Sequence, residues 1–256
     1  MEILKNCSFS LDHYFEVLTL LKQEYFIGTV GEYNKLKQYK NFLILRHDVD
    51  ISLDYALKMA KLEKEHGLRA TYFILLHSSY YNALSKSNTK IIKEISDLGH
   101  EIGLHYDTDF FPESSKEEIH IIKKEIEMLE LIIQKKIFSV SQHVPSETRE
   151  IFINLKNEGF IDSRDPEILK QTKYISDSGR YWREGCMCKH INKHEKLQIL
   201  THPIWWVNKF DTRKDVLLEF EKNEIEKIDL KINEYKEMVN RLLIKLKAPS
   251  DEFEKM

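Results

Sequence analysis

Cysteine is scarce in this chain: Cys7, Cys186 and Cys188 are the only three in 256 residues. Three thiols cannot build a disulfide framework, so a reducing compartment is expected. A bias of charge is missing as well. The formal net charge is −3, with Lys and Glu interspersed. Nothing in that balance points to nucleic acid as a partner, and the charged residues read as solvated helix faces. No apolar run approaches the ~18 residues that a membrane-spanning helix needs. The opening stretch from Met1 to Asn6 lacks the charged-then-apolar order of an export signal. A soluble, cytoplasmic protein is the expectation. There is no glycine-rich phosphate loop and no Gly-x-Ser-x-Gly elbow, and no internal repeat or low-complexity linker.

What is present is an alternation. Strands are expected near 41–47, 70–75, 101–105, 137–141, 160–163, 173–176 and 197–201, with helices near 10–25, 52–66, 88–98, 115–134 and 147–157. Ser52 suits an N-cap and Gly67 a helix stop. Alternating strands and helices predict parallel strands with crossover helices, and six or seven strands suit an incomplete or distorted barrel. Residues 214–247 contain no Gly or Pro and repeat apolar residues at helical spacing from Leu217 to Leu246. They predict one long amphipathic helix, or two in sequence. Packing on the barrel is the plain reading of that helix; dimerisation or a membrane-surface contact are the alternatives. The domain expectation is therefore 1–213 for the barrel and 214–256 for a helical extension.

Three strand-like segments end in Asp or His. Phe42-Leu43-Ile44-Leu45 leads into Arg46-His47-Asp48-Val49-Asp50, Glu101-Ile102-Gly103-Leu104 into His105, and Leu197-Gln198-Ile199-Leu200-Thr201 into His202. Charged and imidazole groups at strand ends are costly unless they bind something, and the C-terminal ends of parallel strands are where α/β active sites are built. Asp48 and Asp50 are two apart and share a face of a regular strand. Their repulsion is relieved by a cation or a shared proton, although a pair of carboxylates capping the helix at Ser52 is the plainer alternative. His105 gains weight from the carboxylates that follow it, Asp107 and Asp109, and His with carboxylate oxygen suits a divalent transition metal. His143 ends another strand and suits either a metal ligand or a partner orienting Asp48. His202 titrates in the range of a general acid. Trp205 and Trp206 suit a stacking wall for a sugar face, and equally a core role. Cys186, Cys188, His190 and His194 form a tempting second metal cluster, but Cys-x-Cys is tighter than usual zinc spacing, and a loop without metal is the expectation there.

The order of these motifs resembles the polysaccharide deacetylase family, the metal-dependent de-N-acetylases of carbohydrate esterase family four, over about residues 40–206. Leu45-Arg46-His47-Asp48-Val49-Asp50 looks like that family's first motif, and Gly99 to His105 is similar to the lead-in of its second. Gln142-His143-Val144-Pro145 falls where the family has Arg-x-Pro, and Leu200-Thr201-His202-Pro203 where it has its catalytic acid. The chain looks closest to a divergent branch with His-Asp-Val-Asp and Ser-Asp-Ser-Gly-Arg-x-Trp, here Ser176 to Trp182. There are departures. Val49 separates the two aspartates, Asp109 stands where a second metal His belongs, and His143 replaces the Arg.

The resemblance implies a distorted (β/α)7 barrel and hydrolysis of an N-acyl, chiefly N-acetyl, group on a sugar. Asp48 would be the base and His202 the acid. Asp50 and His105 would bind a divalent ion, Zn²⁺ or else Co²⁺, Ni²⁺ or Mn²⁺. His143, Asp109 and Asp107 compete for the third ligand position, and His143 is favoured because it keeps a two-His, one-carboxylate set. Arg180, Trp182, Trp205 and Trp206 would contact substrate. A nucleotide- or lipid-linked sugar intermediate of surface polysaccharide assembly fits an unexported enzyme. The alternatives are a non-catalytic carbohydrate-binding subunit, with the C-terminal helix docking a partner or a second copy, and an amidase acting on a non-sugar amide.

Overall fold

The computed structural model describes residues 7–111, 115–143, 153–207 and 209–246. The chain divides into two compact units, Met1–Lys209 and Phe210–Met256. The first opens with α1 (Leu11–Glu24), whose N-cap Ser10 accepts the backbone N–H of His13. The short β1 (Phe26–Gly28) and α2 (Tyr33–Leu36) follow. Strand and helix then alternate: β2 (Phe42–Val49), α3 (Leu53–Glu65), β3 (Thr71–Leu75), α4 (Lys86–Asp97), β4 (Glu101–Asp107), α5 (Ser115–Ile133) and β5 (Ser139–His143). After them come β6 (Ile161–Asp162), α6 (Pro166–Gln171), β7 (Lys173–Ser176) and β8 (Lys196–Thr201). The second unit contains α7 (Arg213–Leu246). Along it Ile225, Ile228, Ile232, Tyr235 and Leu242 are exposed. No described helix is long and apolar enough to cross a membrane.

Every described strand pair is parallel. The spatial order is β6-β5-β4-β3-β2-β8-β7. From β2 to β8 this is chain order wrapped into a ring, with β8 returning to β2 and a seam between β6 and β7 that no described residue bridges by strand pairing. β1 pairs the first half of β2, and β3 pairs its second half. The sheet is curled. Arg46 on β2 donates to the Ser141 hydroxyl on β5, whereas strands three places apart in a flat sheet lie about 14 Å from each other. Gln198 on β8 likewise reaches the Ser163 carbonyl beyond β6. The expected (β/α)7-type barrel with its C-terminal helix is the architecture observed.

Strand alternation sorts the side chains. Arg46 and Asp48 of β2 face the barrel interior, as do Phe73 of β3, Gly103 and His105 of β4, Ser141 of β5 and Gln198 of β8. Gly103 is required by packing: a Cβ there would lie 2.4 Å from the Phe73 ring and 2.9 Å from the Ser139 carbonyl oxygen. His47 points the other way, into the helix layer. There it donates to Glu63 of α3, which also accepts from Tyr14 and Tyr72, all four side chains being buried.

Some elements differ from expectation. β2 and β4 run through Val49 and Asp107 because their polar ends are still paired to neighbouring strands. β1 and α2 are too short to show a period. The helix expected over 147–157 lies largely outside the described residues, and at its end residues 156–158 form only a 3-10 turn. There the Asn154 side chain accepts the Lys156 backbone N–H, a local bond that competes with helix.

Candidate active site

The carboxyl ends of β2, β4, β5 and β8 meet at one mouth of the barrel. Asp48 is held by Arg46, whose Nη2 lies 2.8 and 2.7 Å from its two oxygens. Arg46 is itself fixed by the hydroxyls of Ser141 and Ser163 and lies over the Phe73 ring. Burial alone would raise the Asp48 pKa. The Arg46 charge, with His105 and His202, outweighs it and holds the carboxyl below its ordinary range. Asp48 is thus a fixed, ionised carboxylate.

Asp50, His105 and His143 each offer a ligand atom, and these atoms lie within 4.8 Å of one another. The imidazoles are oriented from behind. His105 donates from Nδ1 to the Ser141 carbonyl at 2.8 Å, and His143 from Nδ1 to the Asp107 carboxylate at 3.2 Å. The second bond joins residues in register on β4 and β5. Both Nε2 atoms are left as the remaining donors, the arrangement in which outer carbonyls and carboxylates orient metal-binding histidines. Asp50 Oδ1 is buried with no hydrogen-bond partner, 3.3 Å from His105 Nε2. An orphaned carboxylate oxygen facing an imidazole nitrogen fits a divalent cation between them. The electrostatics agree. Burial opposes both charges, yet Asp50 is pushed well below the usual carboxylate range by His105, His202 and His143, while Asp48 and Asp50 raise His105. Without a cation, the two aspartates draw a proton onto His105 instead.

His202 stands across the cluster, its Nε2 3.6 Å from Asp50 Oδ2. Its Nδ1 donates to Asp177 at 2.6 Å, and its backbone N–H also reaches that carboxylate. Burial alone would lower the His202 pKa; the Asp177 charge and hydrogen bond, then Asp50 and Asp48, raise it to about 9. Trp206 donates from its indole N–H to the other Asp177 oxygen at 2.8 Å. Asp48, Asp50, His202 and Trp205 line a cavity of about 100 Å³ beside the cluster.

Several expected site residues stand outside the ligand triad and the cavity lining. Trp206 is 1% exposed and presents no face to a substrate; it braces Asp177. Trp182 stacks on Phe9 with centroids 6.0 Å apart, and Arg180 is buried over the same ring. Asp109 is exposed, and Asp107 supports His143 from outside the ligand triad. Two functional partners went unassigned in the sequence: Arg46, inside the first motif, and Asp177, inside the Ser176–Trp182 segment. Each lies within three positions of a candidate, but nothing local shows what it bonds.

No family model matches the chain, and no curated protein does. Among solved structures it is similar to a carbohydrate esterase family four pseudoenzyme from Bacillus anthracis, with 18% identity, 72% of this chain and 62% of that chain covered, and a TM-score of 0.43. The chain thus spans less than two thirds of that protein's length. It is also similar to a family 4 carbohydrate esterase from Bacillus anthracis (15% identity, 81% and 86% covered, TM-score 0.45). A third is a family 4 acetyl xylan esterase from Clostridium thermocellum in complex with a cobalt ion (14% identity, 81% and 92% covered, TM-score 0.42).

Proposed function

We propose that the chain is a metal-dependent hydrolase that removes an N-acyl group from a sugar or a nucleotide- or lipid-linked sugar intermediate. The observation that carries this reading is the convergence of Asp50, His105 and His143 between an ionised Asp48 and a protonated His202. Asp50, His105 and His143 would hold the divalent ion, which would supply Lewis-acid polarisation of the acyl carbonyl and acidify the attacking water. Asp48 accepts the proton of the attacking water. Arg46 keeps it ionised and aimed, at the cost of making it a weaker base. His202, kept charged and oriented by Asp177, donates its Nε2 proton to the departing amine. Trp205, at the edge of the cavity, offers an apolar surface to a sugar ring.

The test combines metal content with hydrolysis of N-acylated sugars and nucleotide-sugars. The Asp50→Ala/His105→Ala variant is expected to lose about one metal ion per chain together with all activity. Asp48→Asn is expected to keep the metal and to lower kcat by about 10²–10⁴-fold, the usual worth of a general base. An Asp48→Asn protein that still hydrolyses at the wild-type rate would remove Asp48 from the chemistry. Binding of acylated sugars unchanged by that substitution, with no turnover in either protein, would instead support a carbohydrate-binding subunit.

A further inference from the structure

All three cysteines of the chain meet at a second place. Cys7 precedes α1, His13 lies in its first turn, and Cys186 and Cys188 flank Met187 in the segment between β7 and β8. The ligand atoms of these four residues lie within 4.8 Å of one another. Cys7 Sγ is 3.4 Å from Cys188 Sγ, and His13 Nε2 is 3.2 Å from Cys186 Sγ. A tetrahedral zinc with Zn–S bonds of about 2.3 Å sets its ligand atoms about 3.7 Å apart, close to both distances. His13, Cys186 and Cys188 are buried, and Glu16 stands 3.8 Å from the other His13 ring nitrogen, the side from which carboxylates orient metal-bound imidazoles. Along the chain Cys186 and Cys188 stand nearest His190 and His194, and a loop without metal is what that spacing predicts. His190 and His194 do not join the four-residue cluster; they stack on each other, and His190 bonds the Glu184 carbonyl. The partners that complete the set are more than 170 residues away in the chain.

We propose that Cys7, His13, Cys186 and Cys188 form a structural zinc site. Three thiolates and one imidazole select zinc over the hard cations, and four protein ligands close the coordination sphere, leaving no position for substrate. The site fastens the N-terminal segment to the β7–β8 connection. That connection has only 3-10 turns for regular structure, at Ser178–Arg180 and Met187–His190, and it begins with Asp177, the partner of His202. Phe9 packs on Trp182 and Trp206 in the same region, so a metal clasp and an aromatic cluster hold the same two segments. Binding releases the thiol protons as the thiolates form. None of these residues belongs to the barrel-mouth triad, so the inference stands or falls independently of the hydrolase reading.

The test uses the full chain in the Asp50→Ala/His105→Ala background, with zinc and cobalt as the only probes. It is expected to retain about one zinc ion per chain and, loaded with cobalt, to show thiolate-to-cobalt charge transfer with the intense visible bands of a tetrahedral ion. Both are expected to vanish when Cys186→Ser and Cys188→Ser are added. Because that variant can fail to fold, thiol alkylation of the unmodified protein is the second measurement: all three cysteines should be protected until a chelator is added. Zinc unchanged by the cysteine substitutions would overturn the proposal. So would equal alkylation with and without chelator, or a Cys7–Cys188 disulfide in the unreduced protein.

Discussion

Asp48 and His202 owe their proposed roles to neighbours rather than to their own chemistry. An aspartate buried without a partner would be driven toward its neutral form; Arg46 keeps Asp48 charged. A buried histidine would be driven neutral; Asp177 keeps His202 charged. The consequence for pH follows from the direction of each shift. His202 has a folded pKa of about 9, above the ordinary ~6.5. Its protonation therefore stabilises the metal-free protein fully below about pH 6.5, and that contribution is lost as pH rises through about 9. Asp48 is shifted the other way, so its contribution is present above about pH 4 and is lost as acid protonates it. In the metal-free protein the His202 imidazole, followed by NMR, should titrate near pH 9. Asp177→Asn should move that midpoint down toward the ordinary histidine value. An unmoved midpoint would mean that Asp177 does not set the charge of His202.

At the scale of elements, the site is a product of strand alternation and close register. β2 delivers Arg46 and Asp48 to the interior and His47 to the helix layer. β4 and β5 bring Asp107 opposite His143. Gly103 permits this approach, because its neighbour in register on β3 is Phe73, whose ring occupies the space a Cβ would need. Gly103→Ala should destabilise the protein by about 1–3 kcal/mol, the usual cost of overpacking, measured by urea unfolding. The ring beneath Arg46 would shift as well, so kcat should fall along with stability. A stability equal to wild type would show that the barrel relaxes there at no cost.

Across the whole molecule, the proposed metal binding would be coupled to folding, because the donors come from segments far apart in sequence and gather only in the native state. An ion that binds the folded chain alone stabilises it by about 2.7 kcal/mol at one hundred times its Kd. Calorimetry should therefore show Tm falling with chelator and rising with added Zn²⁺. The rise should be smaller, but still present, in Asp50→Ala/His105→Ala, which keeps the cysteine set. The same Tm with chelator and with metal would mean that neither set binds an ion under those conditions.

The parallel β/α order, the C-terminal helix and the identity of Asp48, Asp50, His105, His143 and His202 as candidates were legible in the chain. Those features are local. Period, capping and a polar residue at the end of an apolar strand are expressed within a few neighbours. What each candidate faces was not legible. Arg46 bonds Asp48 across two positions of one strand, but it is anchored by Ser141 of β5 and Ser163 just beyond β6, on the far side of the ring. Asp177 meets His202 because β7 and β8 pair. Trp206, which as a sequence suits a sugar platform, turns inward to brace Asp177. The cysteine set shows the difference most plainly: spacing along the chain put only His190 and His194 beside Cys186 and Cys188 and argued against a metal there, and the fold supplied Cys7 and His13. Sequence by itself determined which residues could carry chemistry and where the longer strands run. Closure of the sheet decided which of them meet, because hydrogen bonds and metal coordination act over about 2–3 Å, and only the folded backbone sets distances of that size between residues far apart in the chain.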